Sequence, residues 1–214
     1  KPLFGLIGLT TNKITPKTTI QDTGLFFIEG VDRAWREPKK GGHGSFVDLD
    51  QAITESCDVF FYELGFQVGI DMLADMSKRF GLGRKTDIDL PGEASGIMPT
   101  REWKIENRGS QWFDGDTINA SIGQGYLLAT PIQLALMTSM LANKGKPLFP
   151  KLVKNKNLML ETQNKPDIKN EHWEYIHNAM TNVVHSEKGT AKLINKNINY
   201  KIAGKTGTAQ VVSI

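Results

Sequence analysis

An α+β domain is the fold class that this sequence predicts, and three observations predict it. Several runs have the apolar spacing of buried or amphipathic helices, short strand-like pieces occupy residues 20–47, and an apolar, strand-like run surrounds Lys205. A chain of 214 residues is long enough for one domain with a real core and too short for two sizeable ones.

In order along the chain, residues 3–12 read as a buried helix, followed by the polar turn Thr15-Pro16-Lys17. Residues 20–47 hold strand-like pieces and a Gly/Lys-rich loop at 39–44. Residues 49–80 are strongly helical, with a break at Gly69-Ile70-Asp71, where Asp71 can cap a new helix that stops at Gly81. From Leu82 to Gly125 the Gly, Pro, Asp and aromatic content reads as extended and loop-rich, which at such length points to a binding surface. Thr130 and Pro131 open the next helix as N-cap and first residue. It closes at Gly145, with Ile132, Leu134, Leu136, Met137, Met140 and Leu141 spaced to pack inward. A strand and surface loop are expected over 146–168, an amphipathic helix over 171–185 and a strand over 198–212.

Composition excludes some functions. The 39% hydrophobic and 23% charged content is that of a globular domain, and the net charge of +3 is spread without a basic cluster, so nothing supports nucleic-acid binding. No run of 18 apolar residues is present, and a single cysteine excludes an intramolecular disulfide.

Two short motifs carry chemistry. Lys205-Thr206-Gly207-Thr208 sets a cation and hydroxyls into the strand-like run, with a side-chain-free residue where a substrate can lie against the backbone; this is what recognition of a carboxylate requires. Ser56-Cys57-Asp58 interrupts the helical region. On its own it also fits a polar break, with Asp48 or Asp50 capping the first helix and Asp58 the second. The chain begins Lys1-Pro2 followed by an apolar run.

Lys-Thr-Gly, Ser-x-Asp and a Lys-Pro before a buried helix resemble the three signatures of penicillin-recognising serine acyltransferases, Lys1 standing where the Lys of Ser-x-x-Lys would be. Asp87-Ile-Asp-Leu-Pro-Gly-Glu93, Met98-Pro-Thr-Arg-Glu-Trp-Lys104 and the stretch from Gly115 to Gln133 extend the likeness to the class B penicillin-binding proteins of cell elongation, from Lys1 to Val212. The resemblance implies a penicillin-binding, serine β-lactamase-like transpeptidase fold, a helical cluster with an antiparallel sheet. Residues 1–214 are then one transpeptidase domain incomplete at both ends, without the membrane anchor, the nucleophilic serine three residues before Lys1, or the last strands, and inactive as it stands.

The same resemblance implies the roles. Lys1 takes the proton of the serine, Ser56 relays a proton to the leaving D-alanine nitrogen, and Asp58 holds Lys1. Thr206 and Thr208 grip the substrate carboxylate beside Gly207, and the Thr208 N–H forms half of an oxyanion hole. A second cation such as Lys205 favours the neutral base, whereas the charge of Asp58 opposes it. The implied substrates are peptidoglycan stem peptides and the implied inhibitors are β-lactams. The expected partner is an elongation glycosyltransferase, at the periplasmic face of the bacterial inner membrane. A penicillin-sensing receptor domain and a serine β-lactamase are the alternatives. Ser121-Ile-Gly-Gln-Gly125 is expected near the site as a backbone turn.

No cofactor is expected for catalysis. Asp22, Glu37, His43 and Cys57 are residue types that bind zinc, but their spacings match no compact zinc-finger pattern. A buried cysteine, a turn histidine and two solvated carboxylates is the competing reading. Members of the class that the chain resembles can carry a zinc site in this region, which adds a structural zinc to the expectations.

Overall fold

The computed structural model describes residues 1–146, 149–154 and 166–209. At its centre lies α1 (Pro2–Thr10), whose residues from Pro2 to Leu9 are all buried. A helix apolar on every side has to be surrounded by protein. Here α3 (Asp58–Val68) and α8 (Asn170–His185) pack against it. Gly5 and Gly8 let the neighbours come close. A methyl at Gly5 would lie 2.8 Å from Leu49 Cδ1, and one at Gly8 would lie 2.6 Å from Leu64 Cδ1.

α2 (Leu49–Thr54) packs on α8, while α3 packs on α4 (Ile70–Arg79) and on α6 (Asp114–Ser121). Phe60, Phe61, Phe80 and Trp173 fill the spaces between these helices and are fully buried. α5 (Arg101–Arg108) and α7 (Pro131–Ala142) complete the helical cluster. A 3-10 turn at Lys192–Asn197 follows α8. Four short strands precede α2: β1 (Ile20–Asp22), β2 (Leu25–Phe27), β3 (Ala34–Arg36) and β4 (Gly44–Val47). They form two antiparallel ribbons, β1 with β4 and β2 with β3. The α+β class and the helical cluster are as expected.

Several boundaries differ from the sequence reading. Residues 82–125 are not loop throughout, because Thr100 caps α5 through its hydroxyl, and Asp116 accepts from the Phe113 N–H at the start of α6. Gly69 rather than Asp71 is the cap of α4, and Cys57 rather than Asp58 caps α3, its Sγ accepting from the Phe60 N–H. α7 ends at Ala142, and Leu134 points outward instead of into the core. The Lys-Thr-Gly segment is extended but not a strand as far as Ala209, because no described strand lies beside it to share a ladder. Its expected continuation to Val212 lies outside the described residues, as does most of the loop expected before α8; no strand occurs among the described residues of 146–168.

Candidate active site

The site begins where α2 ends. Asp48 caps α2 through the Gln51 N–H, the helix stops after one and a half turns, and the chain turns back with Ser56 at φ +65°. A non-glycine residue in the left-handed region is a strained conformation that surrounding structure has to hold. The Cys57 N–H donates to the Ala52 carbonyl and the Cys57 Sγ caps α3, so both sides of Ser56 are fixed. The Ser56 side chain is thereby presented to Lys1.

The Lys1 ammonium has three partners for its three protons. It donates to Ser56 O at 2.7 Å and Ser56 Oγ at 2.9 Å, and it forms an ion pair with the Asp58 carboxylate. The two side chains of the pair are only 11% and 13% exposed, which makes it a largely desolvated pair.

The opposite wall comes from the far end of the chain. The Ile202 N–H donates to His185 Nε2 and the Gly204 N–H to the Met180 carbonyl, so α8 holds the extended segment in the place of a partner strand. Thr206 Oγ1 meets Thr190 Oγ1 at 3.0 Å. Lys1, Ser56, Asp58, Lys205, Thr206, Gly207 and Thr208 all line one cleft of about 660 Å³. Burial is the main reason that the Lys205 ammonium is pushed down to about 8; the charge of Lys1 adds to this and that of Asp58 opposes it. Lys1, Lys205 and Asp58 therefore face a space large enough for a peptide terminus.

Glu37 braces this arrangement from beneath. Its Oε2 accepts from the backbone N–H groups of Asp58 and Val59 at 2.5 and 3.3 Å, which places a carboxylate at the N-terminus of α3. Asp22, His43 and Cys57 lie beside it, and one ligand atom from each of the four falls within 4.8 Å of all the others. His43 Nδ1 is 2.7 Å from Asp22 Oδ2, and Cys57 Sγ is 3.3 Å from the same oxygen. Burial pushes the Cys57 thiol up, as do the charges of Asp22 and Glu37. Burial also raises Asp22, but hydrogen bonds from His43, Gly24 and Cys57 outweigh it and hold the carboxyl below its usual value. The loop that brings His43 here requires Gly42 at φ +72°, where a methyl would lie 2.3 Å from the Asp22 carbonyl oxygen. All four residues are thus assembled, and Asp22 and Glu37 are buried rather than solvated.

The cleft also contains residues that the motifs did not mark. Glu55 is paired with Lys39 and Lys188 across the cleft mouth, and Leu134 forms an apolar edge. Ile122, Gly123 and Gln124 line it too, so the Ser-Ile-Gly-Gln-Gly turn is adjacent as expected. Lys39, Lys188, Thr190 and His185 had no local signal, since each is placed by a contact between distant parts of the chain.

This geometry has counterparts among known proteins. The penicillin binding protein transpeptidase domain matches residues 1–213. The peptidoglycan D,D-transpeptidase MrdA of Haemophilus influenzae is 42% identical over 222 residues, covering 100% of this chain and 34% of that protein. The chain thus spans about a third of the length of the curated relatives that it matches. A crystal structure of Pseudomonas aeruginosa PBP2 in complex with WCK 5153 superposes with a TM-score of 0.92 at 41% identity, covering 98% of this chain and 49% of that one. PBP2 in complex with MreC from Helicobacter pylori superposes with a TM-score of 0.86 at 34% identity, over 98% and 38% of the two chains. With the family matched over nearly every residue and the fold shared with PBP2 structures, the chain belongs to the penicillin-binding protein transpeptidase domain family.

Proposed function

We propose that the cleft is the active site of a peptidoglycan D,D-transpeptidase of the elongation class, acting through an acyl-enzyme on a serine three residues before Lys1. The observation that carries this reading is the convergence of Lys1, Ser56 and Lys205 on one cleft, from parts of the chain about 55 and 200 residues apart. Lys1 is the base for the serine. Ser56 Oγ, hydrogen-bonded to the Lys1 ammonium, passes the proton on to the leaving nitrogen. Asp58 fixes Lys1, and Lys205 with Thr206 and Thr208 holds the terminal carboxylate of the donor stem. The serine hydroxyl loses its proton and attacks the peptide carbonyl; the C–N bond breaks, and the terminal D-alanine leaves as the amine. A peptide amine from a second stem then attacks the ester, forming the cross-link and returning the proton to the serine.

On this reading the chain is the transpeptidase domain of a longer protein anchored in the inner membrane, facing the periplasm beside a glycosyltransferase. No helix of the described residues is long and apolar enough to cross a membrane. β-Lactams are the expected inhibitors, because they present an acylating carbonyl and a carboxylate to the same groups.

A structural zinc held by Asp22, Glu37, His43 and Cys57 fits the residues present. The four ligand atoms are close enough for tetrahedral coordination at about 2.0–2.3 Å after small adjustments. Two buried carboxylates beside one imidazole also leave an excess of negative charge that a cation would compensate. Bound there, the ion would fix the turn that carries Ser56 and take no part in the acyl transfer.

Labelling of the full-length protein by a fluorescent penicillin tests the function. Labelling is expected to fall at least about 100-fold in Lys1→Ala, by analogy with removal of other catalytic bases, and to fall in Ser56→Ala and Lys205→Ala. Undiminished labelling of Lys1→Ala by folded protein would sink the assignment.

A further inference from the structure

A second cavity, of about 380 Å³, adjoins the cleft and is lined by Arg33, Arg36, Trp35, Tyr62, Asn119 and Gln124. Three observations set it apart from ordinary surface. Both arginines enter it, neither has an ion pair among the described residues, and no carboxylate is among its lining residues. One arginine is also anchored: the Arg33 guanidinium lies 5.3 Å from the centroid of the buried Trp35 ring, while Arg36 extends from β3, opposite Leu25 in the β2–β3 register. Finally, the Trp35 Nε1–H has no hydrogen-bond partner among the described residues although the side chain is buried.

Two guanidinium groups and the neutral amides of Asn119 and Gln124, with the unpaired Trp35 N–H buried beside them, form a donor-rich recess that suits an oxyanion, and the planar fork of arginine matches a carboxylate. The position narrows the choice of ligand. The recess shares Gln124 with the cleft but none of Lys205 to Thr208, so it meets the site away from the groups assigned to the donor's terminal carboxylate. Tyr62 stands one helical turn beyond Asp58 on α3, on the same path.

Building on the transpeptidase reading, we propose that this recess is an acceptor subsite that binds a carboxylate of the incoming amine-bearing peptide. The second half-reaction then gains its orientation here. The acceptor nitrogen attacks the acyl-ester carbonyl, the new C–N bond forms as the ester C–O bond breaks, and the nitrogen's proton returns to the serine oxygen through the Lys1–Ser56 pair. Holding the acceptor by a second charged point favours amine attack over water, which carries no such handle.

The test uses the full-length protein acylated by a stem-peptide donor, and measures how the acyl-enzyme divides between transfer and hydrolysis. The acceptors are a dipeptide amine with a free C-terminal carboxylate and the same dipeptide amidated. Wild type is expected to favour the carboxylate acceptor at least tenfold in the transfer-to-hydrolysis ratio. Arg36→Ala and the pair Arg33→Ala/Arg36→Ala are expected to erase that preference, and Arg36→Lys to keep part of it. Trp35→Phe, which removes the N–H together with the ring atoms nearest Gly115, is expected to reduce it a few-fold. Equal transfer to both acceptors in wild type, or an unchanged preference in the arginine variants, overturns the proposal. So does a loss that follows a carboxylate in the donor rather than in the acceptor. Absence of any acyl-enzyme in wild type would instead refute the transpeptidase reading itself.

Discussion

Replacing Glu37 by alanine removes the carboxylate that joins the four-ligand cluster to the first turn of α3. The cost can be worked from its contacts. Oε2 accepts from the Asp58 N–H at 2.5 Å and from the Val59 N–H at 3.3 Å, with the Glu37 side chain 3% exposed. The short, charge-assisted bond is worth about 1.5–3 kcal/mol. The longer one contributes about 0.5–1 kcal/mol, and the helix dipole adds about 0.3–1 kcal/mol. The sum is about 2–5 kcal/mol of local stability in α3. Glu37→Gln keeps an acceptor oxygen and loses about half of this.

Native-state hydrogen exchange reads the effect directly. Amides of residues 61–65 in α3 are expected to lose about 100-fold in protection in Glu37→Ala and about tenfold in Glu37→Gln, from 1.4 kcal/mol per decade. Both variants and wild type are compared in the presence of a chelator, which separates the helix cap from any metal. Acylation by penicillin should fall at least tenfold in Glu37→Ala, because Asp58, which positions Lys1, sits in the loosened turn. Protection within about threefold of wild type would refute the reasoning.

Three further outcomes follow. The second-order rate of acylation by an anionic donor should fall above about pH 8, where Lys205 loses its proton, since that ammonium must be charged to hold a carboxylate. In Asp58→Asn this alkaline limb should move to lower pH, because the Asp58 charge is what raises Lys205; a limb that stays in place or moves up contradicts the electrostatics. Chelation, or Cys57→Ser, should lower the melting temperature of the domain, and purified full-length protein should contain about one equivalent of zinc; less than about 0.1 equivalent with an unchanged melting temperature removes the metal. Gly8→Ala should destabilise the fold by up to about 2 kcal/mol: its methyl falls 2.6 Å from Leu64 Cδ1 and 3.0 Å from Ile14, and overpacking outweighs the gain in helix propensity. A melting temperature at or above that of wild type would show that α1 and α3 can part without cost.

The sequence made legible what depends on neighbours along the chain. Thr130 and Pro131 cap and start α7 where they were expected to, with Gln133 completing the capping box. The helices at 2–10 and 170–185 follow their apolar patterns. What depends on distant partners was harder to read. Lys205 to Thr208 have strand-like composition, but a strand is a hydrogen-bonding relation, and here α8 takes the bonds through His185 and Met180. Leu134 has the spacing of a core residue and yet borders the cleft, because α7 turns that face to the site.

The four ligand residues were legible as types but not as a cluster. Asp22 and His43 lie on either side of the β2–β3 ribbon, and only the pairing of β1 with β4 brings them together. The arginine recess was invisible for a similar reason: Arg33 and Arg36 look like ordinary surface charges until Asn119 and Gln124 fold over beside them.

The central claim is that Lys1, Ser56 and Lys205 serve a serine nucleophile three residues upstream of Lys1. Mass spectrometry of the full-length protein after brief exposure to penicillin, with peptide mapping of the adduct, addresses it most directly. One penicilloyl group per molecule, on that serine and absent from Lys1→Ala, is the predicted result. An adduct on another residue, or none on folded protein, would contradict it.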